Sequence, residues 1–288
     1  MRQVGVASDS TCDLSRELVE RYDLSILPLH IILESEEFLD SVNITPKEIY
    51  AWSDQNKKTP KTSAFSPEEA EQFLREKMSK YEHLIFFTIS ATMSSSGNVM
   101  QFAAKRMGFE DRVYVIDSKN LSTGIGLQVI EAAIMAKEGR TAQEIVKEIG
   151  TIHPQVSASF VVDTLVYLYR GGRCSGTAAL IGSTLKLHPC IEVVNGSMQV
   201  GKKYRGKLAN VVQNYIQDRR EDLLNARPDR VFITHSGCED SIVQAAKKQL
   251  EELDHFKEIL ITNAGGVVSS HCGPGTLGVL YIRNQERT

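Results

Sequence analysis

Apolar and polar positions alternate in blocks along the first half of the chain, with the short-run, long-run rhythm of strands and helices. Val4–Ala7 and Val113–Ile116 predict short strands, and Leu84–Ile89 (LIFFTI) predicts a strand buried on both faces. Between them, helical spacing covers Leu14–Tyr22, with Asp13 as the expected N-cap, and Ser94–Met107. Thr45-Pro46 opens a helix through Trp52. Ser66-Pro67-Glu68-Glu69 sets an N-cap serine, a proline at N1 and a glutamate at N3 before a helix to about Lys80. Leu24–Leu33 reads as extended and broken by Pro28, and Lys58–Ser63 reads as a polar loop. Leu127–Lys137 and Ala142–Ile149 complete the first half as helices around Gly139.

After residue 150 the rhythm changes. Cys190–Val194 and Met198–Val200 flank Asn195-Gly196, a strong hairpin signal. Around it lie predicted strands at Ser157–Val162, Val231–Thr234, Glu258–Ile261 and Leu277–Ile282, and helices at Thr164–Tyr169, Leu208–Gln217 and Asp240–Leu253. The expectation is an α/β protein of two α/β domains, 1–155 with a mostly parallel sheet and 156–288 with a mixed sheet.

Composition narrows the function classes. The 288 residues are 42% hydrophobic, enough for two cores. Lys plus Arg number 33 against 36 Asp plus Glu, a formal charge of −3, and no dense basic block suggests nucleic acid. The opening MRQVGVASDSTCDL turns polar too early for a secretory signal, and no apolar run nears the roughly 18 residues that span a bilayer. A cytoplasmic protein without a transmembrane segment is therefore expected. Five cysteines with no Cys-x-x-Cys favour free thiols over a disulfide framework or a zinc site.

Four stretches carry candidate chemistry. Ser8-Asp9-Ser10-Thr11 follows the first strand, where α/β sheets hold ligands, although the same residues also cap ordinary turns. Thr88 through Asn98 takes a buried strand through Ser94-Ser95-Ser96 into a helix, whose first-turn N–H groups and dipole suit a carboxylate or phosphate. Lys61-Thr62-Ser63 gains meaning only if it approaches Ser94. Ser269-Ser270-His271-Cys272-Gly273-Pro274-Gly275 sets one histidine just before a sharp Gly-Pro-Gly loop. Ser94, His271 and Asp9 or Asp117 would make a hydrolytic triad, but the chain has no Gly-x-Ser-x-Gly elbow, no Walker loop and no metal-ligand spacing.

Taken in order, these motifs resemble the DegV family of bacterial fatty-acid-binding proteins. The matching residues are Ser8-Asp9-Ser10-Thr11, Lys61-Thr62-Ser63, Ile89-Ser90 with Met93-Ser94, Ile116-Asp117-Ser118 with Gly124 and Gly126, Arg170-Gly171-Gly172-Arg173, Pro189, Lys203, Arg205 and His271-x-Gly273-Pro274-Gly275-x-x-Gly278. They cover nearly the whole chain. The resemblance implies one long-chain fatty acid, its tail in a tunnel between the domains and its carboxylate held by Thr62, Ser94 and His271, with Ser63, Ser95 and Gly273 nearby. It also implies no activity alone and no cofactor. The chain would be the acyl-carrying subunit of a fatty acid kinase, whose separate ATP-binding partner makes acyl phosphate for phospholipid synthesis. Arg170, Arg173, Lys202 and Arg205 are the candidate partner-facing residues. The anion turn departs from the family pattern, with Ser95 where a glycine is usual. On this reading hydroxyls, helix N–H groups and one histidine hold the carboxylate without a fixed positive charge. The alternative is a free-standing hydrolase or phosphatase using Ser94 and His271.

Overall fold

The computed structural model describes residues 2–175, 177 and 187–284, and these form an α/β protein with three sheets among the described residues. A parallel sheet has the order Ser25–Leu27, Arg2–Asp9, Tyr81–Thr88, Val113–Asp117. A mixed seven-stranded sheet runs Glu258–Asn263, Ala226–Ser236, Thr276–Arg283, Val156–Val161, Leu187–Val194, Ser197–Arg205, Cys174–Ser175. A small antiparallel sheet joins Glu36–Leu39, His30–Leu33 and Lys61–Ser63. The parallel sheet is built before residue 155 and the mixed one after it.

Local chemistry sets many element ends. Capping boxes start the helices Pro46–Asn56, Pro67–Met78 and Ala142–Ile152, each with the Ser or Thr hydroxyl on the N3 amide and the N3 Glu answering. Asn195 and Gly196 both take positive φ, as a type I′ hairpin turn requires.

Three expectations need correction. Ser15, not Asp13, caps the first α-helix, Arg16–Arg21, because Asp13 is turned inward and buried. Lys61–Ser63 is a strand, not a loop, held by pairing to His30–Ile32. The helix expected from Leu127 begins at Thr123, and its first turn includes Gly124 and Gly126 despite their poor helix propensity. That helix, Thr123–Lys137, is buried nearly all round. It packs against strands of both the parallel and the mixed sheet, and one continuous core runs from Val6 and Ile85 through Ile130 to Phe160 and Ile282.

Candidate functional site

Three segments far apart in sequence converge on a cavity of about 290 Å3. One is the end of the strand Lys61–Ser63, which brings Thr62 and Ser63. Another is the turn after Tyr81–Thr88, which brings Ser94 and Ser95. The third is the short helix Gly266–Cys272, whose last turn carries His271. His271 thus stands on a helix, and the chain leaves that helix through Gly273 at φ 78. Gly273 itself is not in the cavity wall. Its α-carbon instead packs against the Tyr167 ring.

At the polar end, Thr62 Oγ1 and His271 Nε2 are 2.9 Å apart. Burial, and after it the Arg173 guanidinium, push His271 down to about 4, so the ring is neutral at neutral pH. Its Nδ1 is buried with no hydrogen-bond partner and faces the α-carbon of Gly171, where a Cβ would overlap it. A Cα–H pointing at that nitrogen favours a lone pair there. With the ring proton on Nε2, His271 donates to Thr62 Oγ1 and leaves the Thr62 hydroxyl proton free for an acceptor in the cavity.

The serines divide their work. Ser94 Oγ accepts from the Ser96 amide (3.2 Å), so it closes the turn. Ser95 is the N-cap of the helix Ser96–Arg106, yet its hydroxyl makes no capping bond. Its φ of −89° is ordinary for any L-residue, so a serine in place of the family glycine costs no backbone strain. Ser96 is turned away from the cavity and donates to Asp9 (3.1 Å). Of the three consecutive serines, two therefore line the cavity.

Beneath the site lie three buried carboxylates, and they answer what Ser8–Thr11 does. Asp9 accepts from Thr11, from the Ile89 amide (2.9 Å) and from Ser96, which fixes the Ser94 turn to the first strand. Asp13 accepts from the Gly265 amide (2.8 Å) and Ser122. Asp40 accepts from the Gly266 amide (2.6 Å) and Ser10 (2.7 Å). Asp13 and Asp40 thus hold the N-terminus of the His271 helix from the other half of the molecule. Burial raises all three carboxyls, Asp13 well above the usual range. The Ser8–Thr11 stretch is scaffold, and none of it lines the cavity.

Arg173 corrects one expectation, that the site holds no fixed positive charge. It is exposed, as a partner-facing residue would be, and it also lines the cavity, donates to Gly171 O (2.6 Å) and makes no ion pair with the described residues. Gly172, at φ 65, turns the chain out of the helix Val166–Gly171 and directs it there. The only sequence signal was the Arg-Gly-Gly-Arg breaker. Arg170 reaches Lys57 O and Thr59 (both 3.4 Å) at the surface. Lys202 and Arg205 line a separate groove with Lys203, and Lys202 is paired to Asp218.

Away from the polar end the wall is apolar, with Leu29, Ile89, Met93, Leu121, Met198 and Val268. A narrow annex shares Leu121, Val268 and Cys272 with it and reaches Phe160 and Leu280 of the mixed sheet. Among the described residues, no group of three or more His, Cys, Asp or Glu side chains is placed to hold a metal, and no helix is long and apolar enough to cross a membrane. None of the five cysteines forms a disulfide with a described residue.

Comparison with known proteins fits this architecture. A family model described as an uncharacterised protein of the DegV family matches residues 3–284. A DegV domain-containing protein of Deinococcus radiodurans is 30% identical, over 96% of this chain and 97% of its own. A DegV family protein from Thermus thermophilus, whose structure concerns fatty acid binding, superposes with a TM-score of 0.90 at 28% identity, covering 98% of this chain and 100% of that one. DegV of Bacillus subtilis, a fatty acid binding protein, superposes at 0.84 with 25% identity over 99% and 100%. The mixed and parallel sheets, the cavity between them and the match along nearly the whole sequence lead to one assignment: this chain belongs to the DegV family.

Proposed function

We propose that the chain binds one long-chain fatty acid, tail in the apolar cavity and annex, carboxylate at the polar end. The observation that carries this reading is the cavity's mixed lining, with Thr62, Ser63, Ser94, Ser95, Arg173 and His271 set against apolar side chains. A sixteen-carbon tail buries about fourteen methylenes, at roughly 0.8 kcal/mol each on the order of 11 kcal/mol before ordering costs. The tail supplies affinity and the head supplies orientation. A desolvated carboxylate needs hydrogen bonds, and the Thr62 and serine hydroxyls, with the helix N-terminus behind Ser95, provide them. Arg173 balances its charge. Gly273 serves only to turn the chain after His271.

The bound carboxylate is then presented to a separate ATP-dependent kinase that converts it to acyl phosphate for phospholipid synthesis, with this chain acting as a cytoplasmic carrier that has no activity of its own. The two domains divide near residue 155. A hydrolase built on Ser94 and His271 is the less supported reading. Asp9 is occupied by Ile89 and Ser96, Asp117 by the Ala91 and Lys119 amides, and no carboxylate among the described residues orients His271.

Mass spectrometry of an organic extract from the purified, denatured protein tests the binding reading. A fatty acid at one per chain supports it. An empty extract with no uptake of added oleate or palmitate overturns it. Adding a candidate kinase and ATP and assaying for acyl phosphate tests the second step.

A further inference from the structure

A second cleft, of about 650 Å3, shares no wall residue with the fatty-acid cavity. It exists because two neighbouring strands part. Val156–Val161 and Leu187–Val194 pair only at Val161 with Cys190, Phe160 with Ile191 and Ser159 with Glu192. Beyond Glu192 the hairpin swings toward the N-terminal half, where Thr92 Oγ1 donates to Gly196 O. Gly196 has no room for a Cβ there, which would come 2.6 Å from Ser90 Oγ. The gap left between the strands is open to solvent and polar.

Buried Ser157 and Ser159 form part of its wall, and cations rim it. Arg219 is mostly buried, with its side chain 15% exposed, and is held by Glu192 (2.7 Å) and Cys190 Sγ (3.2 Å). Its Nε is buried with no partner. Arg283 donates to Ser157 (3.2 Å) and lies 3.7 Å from Asp222. Lys119 makes no ion pair with the described residues. Three permanent cations, Lys119, Arg219 and Arg283, thus face two carboxylates, Glu192 and Asp222. His153 adds a ring that burial and Lys119 push toward the neutral form, against Asp117, and that can donate one N–H.

We propose that this cleft is a binding site for a small dianion of the phosphate-ester class, taken by Lys119, Arg219 and His153. Lys119, which makes no ion pair with the described residues, together with Arg219 and Arg283 in the same wall, suits a phosphate better than a neutral ligand. The wall hydroxyls of Ser157 and Ser159 suit the polar part of an ester. The site is independent of the fatty-acid reading.

Phenyl phosphate titrated into the full chain, by calorimetry and by phosphorus NMR at low salt, tests this. The expected result is one saturable site, weakened about tenfold in Lys119→Ala and in Arg219→Gln, the loss of one charge-assisted hydrogen bond. Lys119 is exposed, so Lys119→Glu carries the test should Arg219→Gln fold poorly. No saturable binding, or equal binding in the Lys119 variants, overturns the proposal. Oleate uptake by the same variants is expected to stay at the wild-type level, so a failure here is separable from a failure of the fatty-acid reading.

Discussion

Thr62 Oγ1 and His271 Nε2 lie 2.9 Å apart although 209 positions separate them in the chain. That bond ties the small antiparallel sheet to the helix Gly266–Cys272, and with the ring proton on Nε2 it aims the Thr62 hydroxyl into the cavity. Thr62→Val keeps the shape and removes the hydroxyl. Oleate affinity is expected to fall about tenfold, for the lost hydrogen bond from the Thr62 hydroxyl to the carboxylate. Thr62→Ser is expected to restore most of it. Equal affinity in wild type and Thr62→Val, by fluorescent fatty-acid displacement, would refute this role.

His271 also gives stability a pH dependence. Its folded value is about 4 against the ordinary 6.5, so between those values the unfolded chain binds the extra proton. Stability therefore rises with pH across that window and is lost as pH falls from 6.5 toward 4. In urea melts over that range, His271→Gln is expected to show a shallower acid-side slope than wild type. An unchanged slope would mean that other groups set it.

Arg173 is the second influence holding His271 down. Arg173→Met is expected to raise the His271 titration toward its ordinary value, read by NMR of the imidazole. The same variant is expected to bind oleate more weakly, since the carboxylate loses a nearby cation. Weaker oleate binding with no movement of the titration would separate the two roles.

Gly171 is predicted to be intolerant of any side chain. A Cβ there would overlap His271 Nδ1, although the helix backbone at that position would accept alanine. Gly171→Ala is expected to cost about 1–3 kcal/mol through overpacking and to weaken oleate binding by displacing the ring. Wild-type melting and affinity would show that the ring has room to move.

Asp40 should matter more to the site than its distance from the ligand suggests. Asp40→Ala leaves the Gly266 amide and the Ser10 hydroxyl proton without an acceptor, at roughly 1–3 kcal/mol for each buried donor. Chemical denaturation should show that loss, and Asp40→Asn should lose less. Burial raises the Asp40 carboxyl, so the folded state holds its proton more tightly than the unfolded chain does. Stability from this group falls as pH rises through the folded value, opposite in sign to His271.

The sequence by itself determined the elements whose signals are local. The three capping boxes, the buried strand Tyr81–Thr88 and the Asn195-Gly196 turn follow from residues within a few positions of each other. The DegV motif order named the residues Thr62, Ser63, Ser94, Ser95 and His271, which the fold then brought to one cavity. Tertiary structure decided the rest, because the deciding contacts are long-range. Three polar residues, Lys61–Ser63, have no periodicity to read and are a strand only through pairing to His30–Ile32. Asp13 looked like a helix cap, and only the amide of Gly265, 252 positions away, explains why it is buried. Arg173 is an exposed charge that the left-handed turn at Gly172 also places beside His271. The cleft at Arg219 depends on where two strands part, a matter of register between segments some thirty residues apart that no local pattern encodes.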